Sequence, residues 1–591
     1  MKMIKLKIDD KTVVAPEGTT ILDAAAKVGV RIPNLCYMNM EEIGFKNNCA
    51  SCRICVVEIK GMGRLVPSCT TPVGEGMEVI TDSANVMNRR KVILELLLSD
   101  HPNTCLTCGK NGFCQLQKIA MDFGLRELRF EGHHAQQPKQ KSVSITKDLA
   151  KCVMCRRCEN ICANIQNCGI LTGLGRGFDA VVNTAFNADL IETKCTFCGQ
   201  CVAVCPVGAL SETDNYTRLI EDIGNDKKTV VVHMAPAVRV ALGELFDLPG
   251  GTDVTKKVVT ALRKLRIDAV FDTNFAADVT IMEEATELKH RLEKALAGDK
   301  SVKIPLFTSC CPAWVRFSEL NYPQILGNLS STKSPQQIFG AMTKEIWAKN
   351  KNIPREDIVC VSIMPCLAKK YEASREEFTR DGIPDVDYSI TTRELSRLFH
   401  QYNIDLAALP DGEFDDPMGE STGAASIFGR TGGVLEAAAR TLYEWVTDGK
   451  LENLDFVALR GLEEVRVAEV KINDGLTLRL GVAHGLGAAR KVVEKILSGE
   501  EQFHVVEVMA CKGGCIGGGG QPFHNGDFNV IKKRYEAIQD LDYHKDIRMS
   551  HENAFVKELY AKYLGEPYKG ELAHKFFHTK YTDRSGKGQS K

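Results

Sequence analysis

Two runs of four cysteines, Cys152-x2-Cys155-x2-Cys158-x3-Cys162 and Cys195-x2-Cys198-x2-Cys201-x3-Cys205, recur 43 residues apart, and the second ends in Pro206. In such a run the first three thiols bind one four-iron cluster and the fourth ligates the cluster of the other run. The repeat therefore predicts two crossed sets: Cys152, Cys155 and Cys158 with Cys205, and Cys195, Cys198 and Cys201 with Cys162. Tetrahedral zinc is the alternative, but zinc sites seldom show three cysteines at this spacing twice, ending in Cys-Pro. A bacterial-type two-cluster ferredoxin module over residues 146–225 is the expected consequence.

The chain holds 23 cysteines, an odd number, of which 17 lie in the first 205 residues. Its start, Met1-Lys2-Met3-Ile4-Lys5-Leu6-Lys7, alternates charge with apolar residues in place of a signal-peptide core, and no later stretch supplies 18 uninterrupted apolar residues. We expect a cytoplasmic protein without a membrane span, in which thiols serve as metal ligands and not as disulfides. With 75 basic and 76 acidic side chains the charge is −1, so no global field favours nucleic acid. The 591 residues, 44% hydrophobic, allow several cores.

Ahead of the repeat, residues 4–8 alternate, Asp9-Asp10 turns the chain, and Val13-Val14 continues a second strand. Thr20 with Asp23 resembles a capping box for a helix from Ile21 to Val28, stopped by Gly29. Strand, strand, helix is the order of a small β-grasp, here a plant-type ferredoxin-like domain over residues 1–80. Five cysteines then compete for four places on a two-iron cluster. Cys36, Cys52, Cys55 and Cys69 are favoured because Cys52-Arg53-Ile54-Cys55 directly precedes the strand Val56-Val57-Glu58-Ile59, with Cys49 in place of Cys52 as the alternative.

Residues 83–100 read as a helix that ends at His101, which opens His101-x3-Cys105-x2-Cys108-x5-Cys114. Alone, this set suits Cys3His zinc and a four-iron cluster equally. Its place between two iron–sulfur modules favours iron and sulfur, since a lone zinc would break a conducting series. Residues 81–145 are thus a His-ligated cluster module. The polar stretch 128–148, with His133-His134-Ala135-Gln136-Gln137-Pro138, reads as a connector. Cys168 and Cys360 read as structural, Cys360 as a buried strand residue.

From Lys227 onward short apolar strands alternate with amphipathic helices: Val230-Val231-Val232, Ala269-Val270-Phe271, Ile304-Pro305-Leu306-Phe307 and residues 358–363. The whole is α+β and multidomain, with a large α/β domain over residues 226–591 that ends in a frayed polar tail from Ser585. Three of the turns in this α/β domain carry cysteine. They read Phe307-Thr308-Ser309-Cys310-Cys311-Pro312-Ala313-Trp314, Ile363-Met364-Pro365-Cys366-x2-Lys369-Lys370-x-Glu372, and Glu507-Val508-Met509-Ala510-Cys511-x3-Cys515-x-Gly517-Gly518-Gly519-Gly520-Gln521-Pro522.

These three stretches resemble the signatures of iron-only (FeFe) hydrogenases, in their order, and the N-terminal modules match the long form of that family. The resemblance implies that Cys311, Cys366, Cys511 and Cys515 hold an H-cluster, a four-iron cubane bridged to a two-iron subsite with CO, cyanide and an aza-dithiolate. It implies a lining of Lys369, paired with a cyanide, and of Gln336, Ser334, Pro236, Ala237, Met364 and Met509. Many members carry serine where this chain has Ala237, which removes one side-chain hydrogen bond. A proton relay through Cys310, Glu284, Ser330, Glu287 and Arg291 is implied as well. Glu284 and Glu287 lie three apart on one helical face and Arg291 four further on, although a solvated charged face would show the same spacing. The run Gly429-Arg430-Thr431-Gly432-Gly433 lacks the Gly-Lys-Ser/Thr ending of a phosphate loop and suggests close backbone packing.

The resemblance thus implies an oxidoreductase that turns over H2 and protons heterolytically. Its electrons would pass one at a time through three further four-iron clusters and one two-iron cluster to ferredoxin or to a flavin- and NAD(P)-binding partner subunit. Maturation proteins would supply the two-iron subsite. A non-turnover hydrogen sensor on the same fold, or an electron-transfer subunit, is the competing reading; the latter would explain only residues 1 to about 220.

Overall fold

A computed structural model describes residues 2–133, 138–447, 449–451, 453–473 and 476–586. Positions 134–137 of the expected connector, and the tail from 587, lie outside the described residues. Met3–Ile8 pairs antiparallel with Lys11–Pro16 around Asp9 and Asp10, and Ile4, Leu6, Ile8, Val13 and Ala15 face the core. Alternation with a period of two puts them there. The sheet has five strands in the order Lys11–Pro16, Met3–Ile8, Glu78–Ile80, Val56–Ile59, Val66–Pro67. Against it packs the helix Ile21–Lys27, which begins where Thr20 Oγ1 accepts from the Asp23 amide at 3.1 Å; Gly29, at φ +71°, takes the chain away from it.

The next helix is Ala84–Ser99, capped by Ser83, whose hydroxyl oxygen accepts from the Val86 amide. His101 follows its end. The stretch read as a connector is partly sheet: Gln140–Lys141 and Ile145–Lys147 join Leu210–Glu212 in an antiparallel sheet of the module with the doubled cysteine run. Polar composition hid this strand because its lysine is bonded inside the protein. Lys147 Nζ donates to Asn183 Oδ1 at 2.7 Å and to Thr184 Oγ1 at 3.3 Å.

Beyond residue 228 lie two four-stranded sheets. The first runs Ala269–Asp272, Thr229–Met234, Ile358–Met364, Tyr388–Thr391, all parallel. Its Val-rich strands are buried on both faces, as a helix-covered parallel sheet requires. The second runs Leu306–Phe307, Val505–Met509, Leu476–His484, Val465–Asn473, with only the last pair antiparallel. The strand expected from Ile304 begins at Leu306, because Pro305 has no N–H for the ladder. The helix Thr273–Leu296 leaves directly from Asp272, and its first thirteen residues are buried on every side. It is a core helix, packed on helices Pro335–Met342 and Gly433–Thr447. Among the described residues, no helix is long and apolar enough to cross a membrane.

Candidate active site

Ligand sites in parallel sheets lie beyond the carboxyl ends of the strands. Here four such ends open on one cavity with about 710 Å3 of atom-free space. Ala235, Pro236 and Ala237 follow Met234; Cys310, Cys311 and Pro312 begin three residues after Phe307. Cys366 and Lys369 come from the turn after Met364, and Cys511 and Cys515 from the turn after Met509. Gln336, Thr273 and Phe428 complete the wall with both methionines. Thus the four thiols expected from three separate turns surround one space.

Close backbone packing holds the last turn. Gly514 has φ +94°, and a Cβ there would stand 2.5 Å from the Thr431 nitrogen. The Thr431 amide donates to Gly513 O at 2.9 Å, and the Gly432 amide to Glu507 Oε1 at 2.6 Å. The glycine run 429–433 is therefore a packing surface for the cysteine turn, as its sequence suggests.

Burial raises the thiols of Cys311, Cys366, Cys511 and Cys515, that of Cys366 to about 12. Four sulfurs so shielded from bulk water are good ligands only when a cationic metal core offsets the charge of their thiolates. The donor set fits an iron–sulfur cubane. Among the described residues no three His, Cys, Asp or Glu groups converge at single-ion spacing; the thiols stand around open space instead.

Lys369 Nζ donates to Ser334 Oγ at 2.7 Å, to Glu372 Oε2 at 2.8 Å and to Cys310 O at 3.2 Å. Glu372 Oε2 also accepts from Ser334 Oγ at 2.8 Å and Gln336 Nε2 at 2.9 Å. Ser362 donates to Gln336 Oε1 at 2.7 Å. Every polar group on this wall is fixed by another. Ala237 is fully buried and lines the cavity, and its carbonyl accepts from Gln521 Nε2 at 2.8 Å.

Of the five relay candidates, Ser330, Glu287 and Arg291 are joined by hydrogen bonds, and Glu284 acts electrostatically on Cys310. Ser330 Oγ donates to Glu287 Oε2 at 2.9 Å and Arg291 Nη2 to Glu287 Oε1 at 2.6 Å, with Arg291 partly exposed. Glu284 is buried, and neither carboxylate oxygen has a well-formed hydrogen bond. Burial first, then the neighbouring Glu287, raises its carboxyl to about 8, against weaker stabilisation from the nearby Ser330 hydroxyl and Ser309 amide. The Cys310 thiol is raised well above its ordinary value by burial, then by Glu284.

The other thiols gather in four places. Cys36 stands against Cys52, Cys69 and Cys49, and Cys55 against Cys69. Cys52 and Cys55 are buried, whereas Cys49 is exposed and donates to Cys155 O at 3.1 Å. His101, Cys105, Cys108 and Cys114 line one cavity. Cys162, Cys195, Cys198 and Cys201 line another, and Cys168, expected only as packing, is on its wall. Cys205 acts on the ionisation of Cys152, Cys155 and Cys158. Cys360 is a fully buried strand residue.

The two outer thiol sets both meet the module of the doubled cysteine run. Asn47 Nδ2 donates to both Cys36 O and Cys155 O. A Cβ on Gly208 would meet Cys108 Sγ at 2.5 Å, and the Gln115 amide donates to Pro206 O at 2.9 Å. Both outer thiol sets thus abut the set of Cys152, Cys155, Cys158 and Cys205. Asn47, Gln200 and Glu372 were not singled out by sequence. Only Glu372, inside a signature, and Gln200, inside a Cys-x2-Cys interval, had a local signal.

Five family descriptions match the chain. They are "Iron only hydrogenase large subunit, C-terminal domain" over residues 228–519, "2Fe-2S iron-sulfur cluster binding domain" over 1–84 and "Iron hydrogenase small subunit" over 528–584. "NADH-ubiquinone oxidoreductase-G iron-sulfur binding region" covers 90–129 and "4Fe-4S binding domain" 188–211. The NADP-reducing hydrogenase subunit HndD of Solidesulfovibrio fructosivorans is 53% identical over 585 residues, 99% of this chain and 100% of that one. Iron hydrogenase 1 of Clostridium pasteurianum is 38% identical over 96% of this chain and 97% of that one. A solved FeFe hydrogenase of Chlamydomonas reinhardtii superposes with TM-score 0.56 at 39% identity, over 62% of this chain and 98% of that one. The chain belongs to the FeFe hydrogenases, as an oxidoreductase with iron–sulfur modules ahead of the catalytic domain.

Proposed function

We propose that the chain catalyses the reversible oxidation of dihydrogen at an H-cluster whose cubane is held by Cys311, Cys366, Cys511 and Cys515. When bound, this group supplies the making and breaking of the hydrogen–hydrogen bond at irons carrying CO, cyanide and an aza-dithiolate. The observation that carries the reading is the convergence of four thiols from three turns on one cavity beside the ammonium of Lys369.

The residues around it bind, insulate and move protons. Lys369 Nζ offers positive charge to an anionic ligand such as cyanide, held in place by Ser334 and Glu372. Gln336, tied to Glu372, Pro236, Ala237, Met364 and Met509 exclude water. Cys310 takes or gives a proton at Sγ. Glu284 turns between Cys310 and Ser330, since its carboxyl is not tied down, and Glu287 with Arg291 completes the way to solvent.

Cys162, Cys195, Cys198 and Cys201 would hold one four-iron cluster, and Cys152, Cys155, Cys158 and Cys205 a second, which when bound would carry single electrons. Cys36, Cys52, Cys55 and Cys69 would hold a two-iron cluster, and His101, Cys105, Cys108 and Cys114 a four-iron cluster, each beside the second of these sets. We read residues 1–80 as a β-grasp ferredoxin-like domain, 81–145 and 146–225 as the cluster modules, and 226–591 as the catalytic domain. Likeness to a subunit of an NADP-reducing hydrogenase supports an NADP-linked partner subunit; we read that partner as binding flavin and NAD(P), the chain as cytoplasmic, and ferredoxin as the other acceptor.

The test is infrared spectroscopy of the chain matured by its assembly proteins, with hydrogen-dependent reduction of ferredoxin and of NADP assayed separately, with and without co-purified subunits. Bands from diatomic ligands together with hydrogen turnover are expected. Their absence overturns the H-cluster, and bands without turnover place the chain among non-turnover sensors.

A further inference from the structure

The turn that carries the second cysteine run touches the catalytic cavity. Gly199 is left-handed at φ +75°, and a Cβ on Gly519 would stand 2.7 Å from the Gly199 backbone, so the two loops meet backbone to backbone. The next residue, Gln200, is buried. Its Nε2 donates to Cys511 Sγ at 3.2 Å and to Gly517 O at 2.9 Å. An amide rooted between Cys198 and Cys201 therefore ends on a sulfur of the catalytic cavity, 311 residues away in sequence.

We propose that Gln200 sets the reduction potential of the catalytic cubane, and couples it to the neighbouring cluster, through its N–H bond to Cys511 Sγ. The inference rests on the cubane reading above. A donor to a ligating sulfur stabilises the state with more negative charge, which is the reduced one, and so raises the potential. The second donor bond, to Gly517 O, fixes the direction of the amide, so the N–H at Cys511 does not turn away. A one-electron step between the clusters changes the charge that this N–H faces and breaks no bond. Gln200 is thus a positioning residue that acts from the electron-transfer module on the site of chemistry.

The decisive measurement is a paramagnetic-resonance redox titration of the full-length chain, loaded with its iron–sulfur clusters, as wild type, Gln200→Leu and Gln200→Glu. Leu removes the donor, and Glu keeps the shape but brings a negative charge. At a fixed applied potential the reduced-to-oxidised ratio of the cubane should fall about tenfold in Gln200→Leu, or 59 mV for one electron. It should fall further in Gln200→Glu. A packing role alone would leave the isosteric Glu variant nearest to wild type, and that order overturns the proposal. A cubane midpoint that stays put in both variants does the same. Cys511→Ser separates the two levels. If it removes one reducible four-iron cluster while the Gln200 variants leave that cluster's potential unchanged, only the role of Gln200 falls. If it removes none, the cubane assignment falls with it.

Discussion

Asn47 Nδ2 lies 3.0 Å from Cys155 O and also donates to Cys36 O at 2.5 Å, so one buried amide ties the thiol loop of the N-terminal module to that of the two-cluster module. Arg157 reinforces the tie, with Nη2 donating to Tyr37 O at 2.8 Å. Asn47→Leu takes one donor from each of two carbonyls, leaving Cys49 Sγ on Cys155 O and Arg157 Nε on Cys36 O, at about 0.5–1.5 kcal/mol each. Electron exchange with the N-terminal cluster should slow about tenfold, or about 1.4 kcal/mol of barrier. Stopped-flow reduction of the two-iron chromophore by hydrogen measures it, and dye-linked turnover at the catalytic end should hold.

Cys310 neighbours a proposed ligand and lines the same cavity, and after burial Glu284 does most to raise its thiol. Cys310→Ala should lower hydrogen turnover by about 10²- to 10⁴-fold, the usual size of a lost proton-transfer group. Iron content and the infrared bands of the matured variant should stay those of wild type. Near-normal turnover in a fully loaded variant rules out the relay.

Glu284 gives the site a pH dependence whose sign follows from burial. Its folded value, about 8, lies above the ordinary 4.5, so the folded state holds a proton that the unfolded chain gives up. The stability this confers is complete below about 4.5 and is lost as pH rises toward 8. Glu284→Gln removes the dependence, so its thermal midpoint should gain on wild type between pH 5 and pH 8. Turnover of wild type should decline as pH passes about 8, where the carboxyl loses the proton it relays.

Glu372 holds Lys369, Ser334 and Gln336 through a single oxygen. Glu372→Gln should destabilise the protein by about 3–5 kcal/mol, because a buried ammonium is left without its anion. Denaturant unfolding measures this, and Lys369→Met in the same chain should restore part of the loss. Shifted infrared bands in the single variant would report the displaced ammonium at the cavity.

The thiols that converge on the cavity were legible in sequence because they sit on short turns, within contiguous signatures around Cys311, Cys366 and Cys511. The early hairpin and the Thr20-capped helix were legible for a similar reason, since alternation and capping are local. The strand Ile145–Lys147 was not, because the partners that make Lys147 acceptable inside the protein lie about 36 residues away.

What the amino-acid sequence determined by itself was the inventory: how many thiols, on which turns, in which order, and hence the family. Tertiary structure alone decided which of them share a space and what touches them. Asn47, Gln200 and Glu372 matter through one nitrogen or oxygen placed within about 3 Å of a partner. Asn47 and Gln200 reach across more than 100 residues of chain, and only a packed fold, which holds both ends still, can fix such a distance.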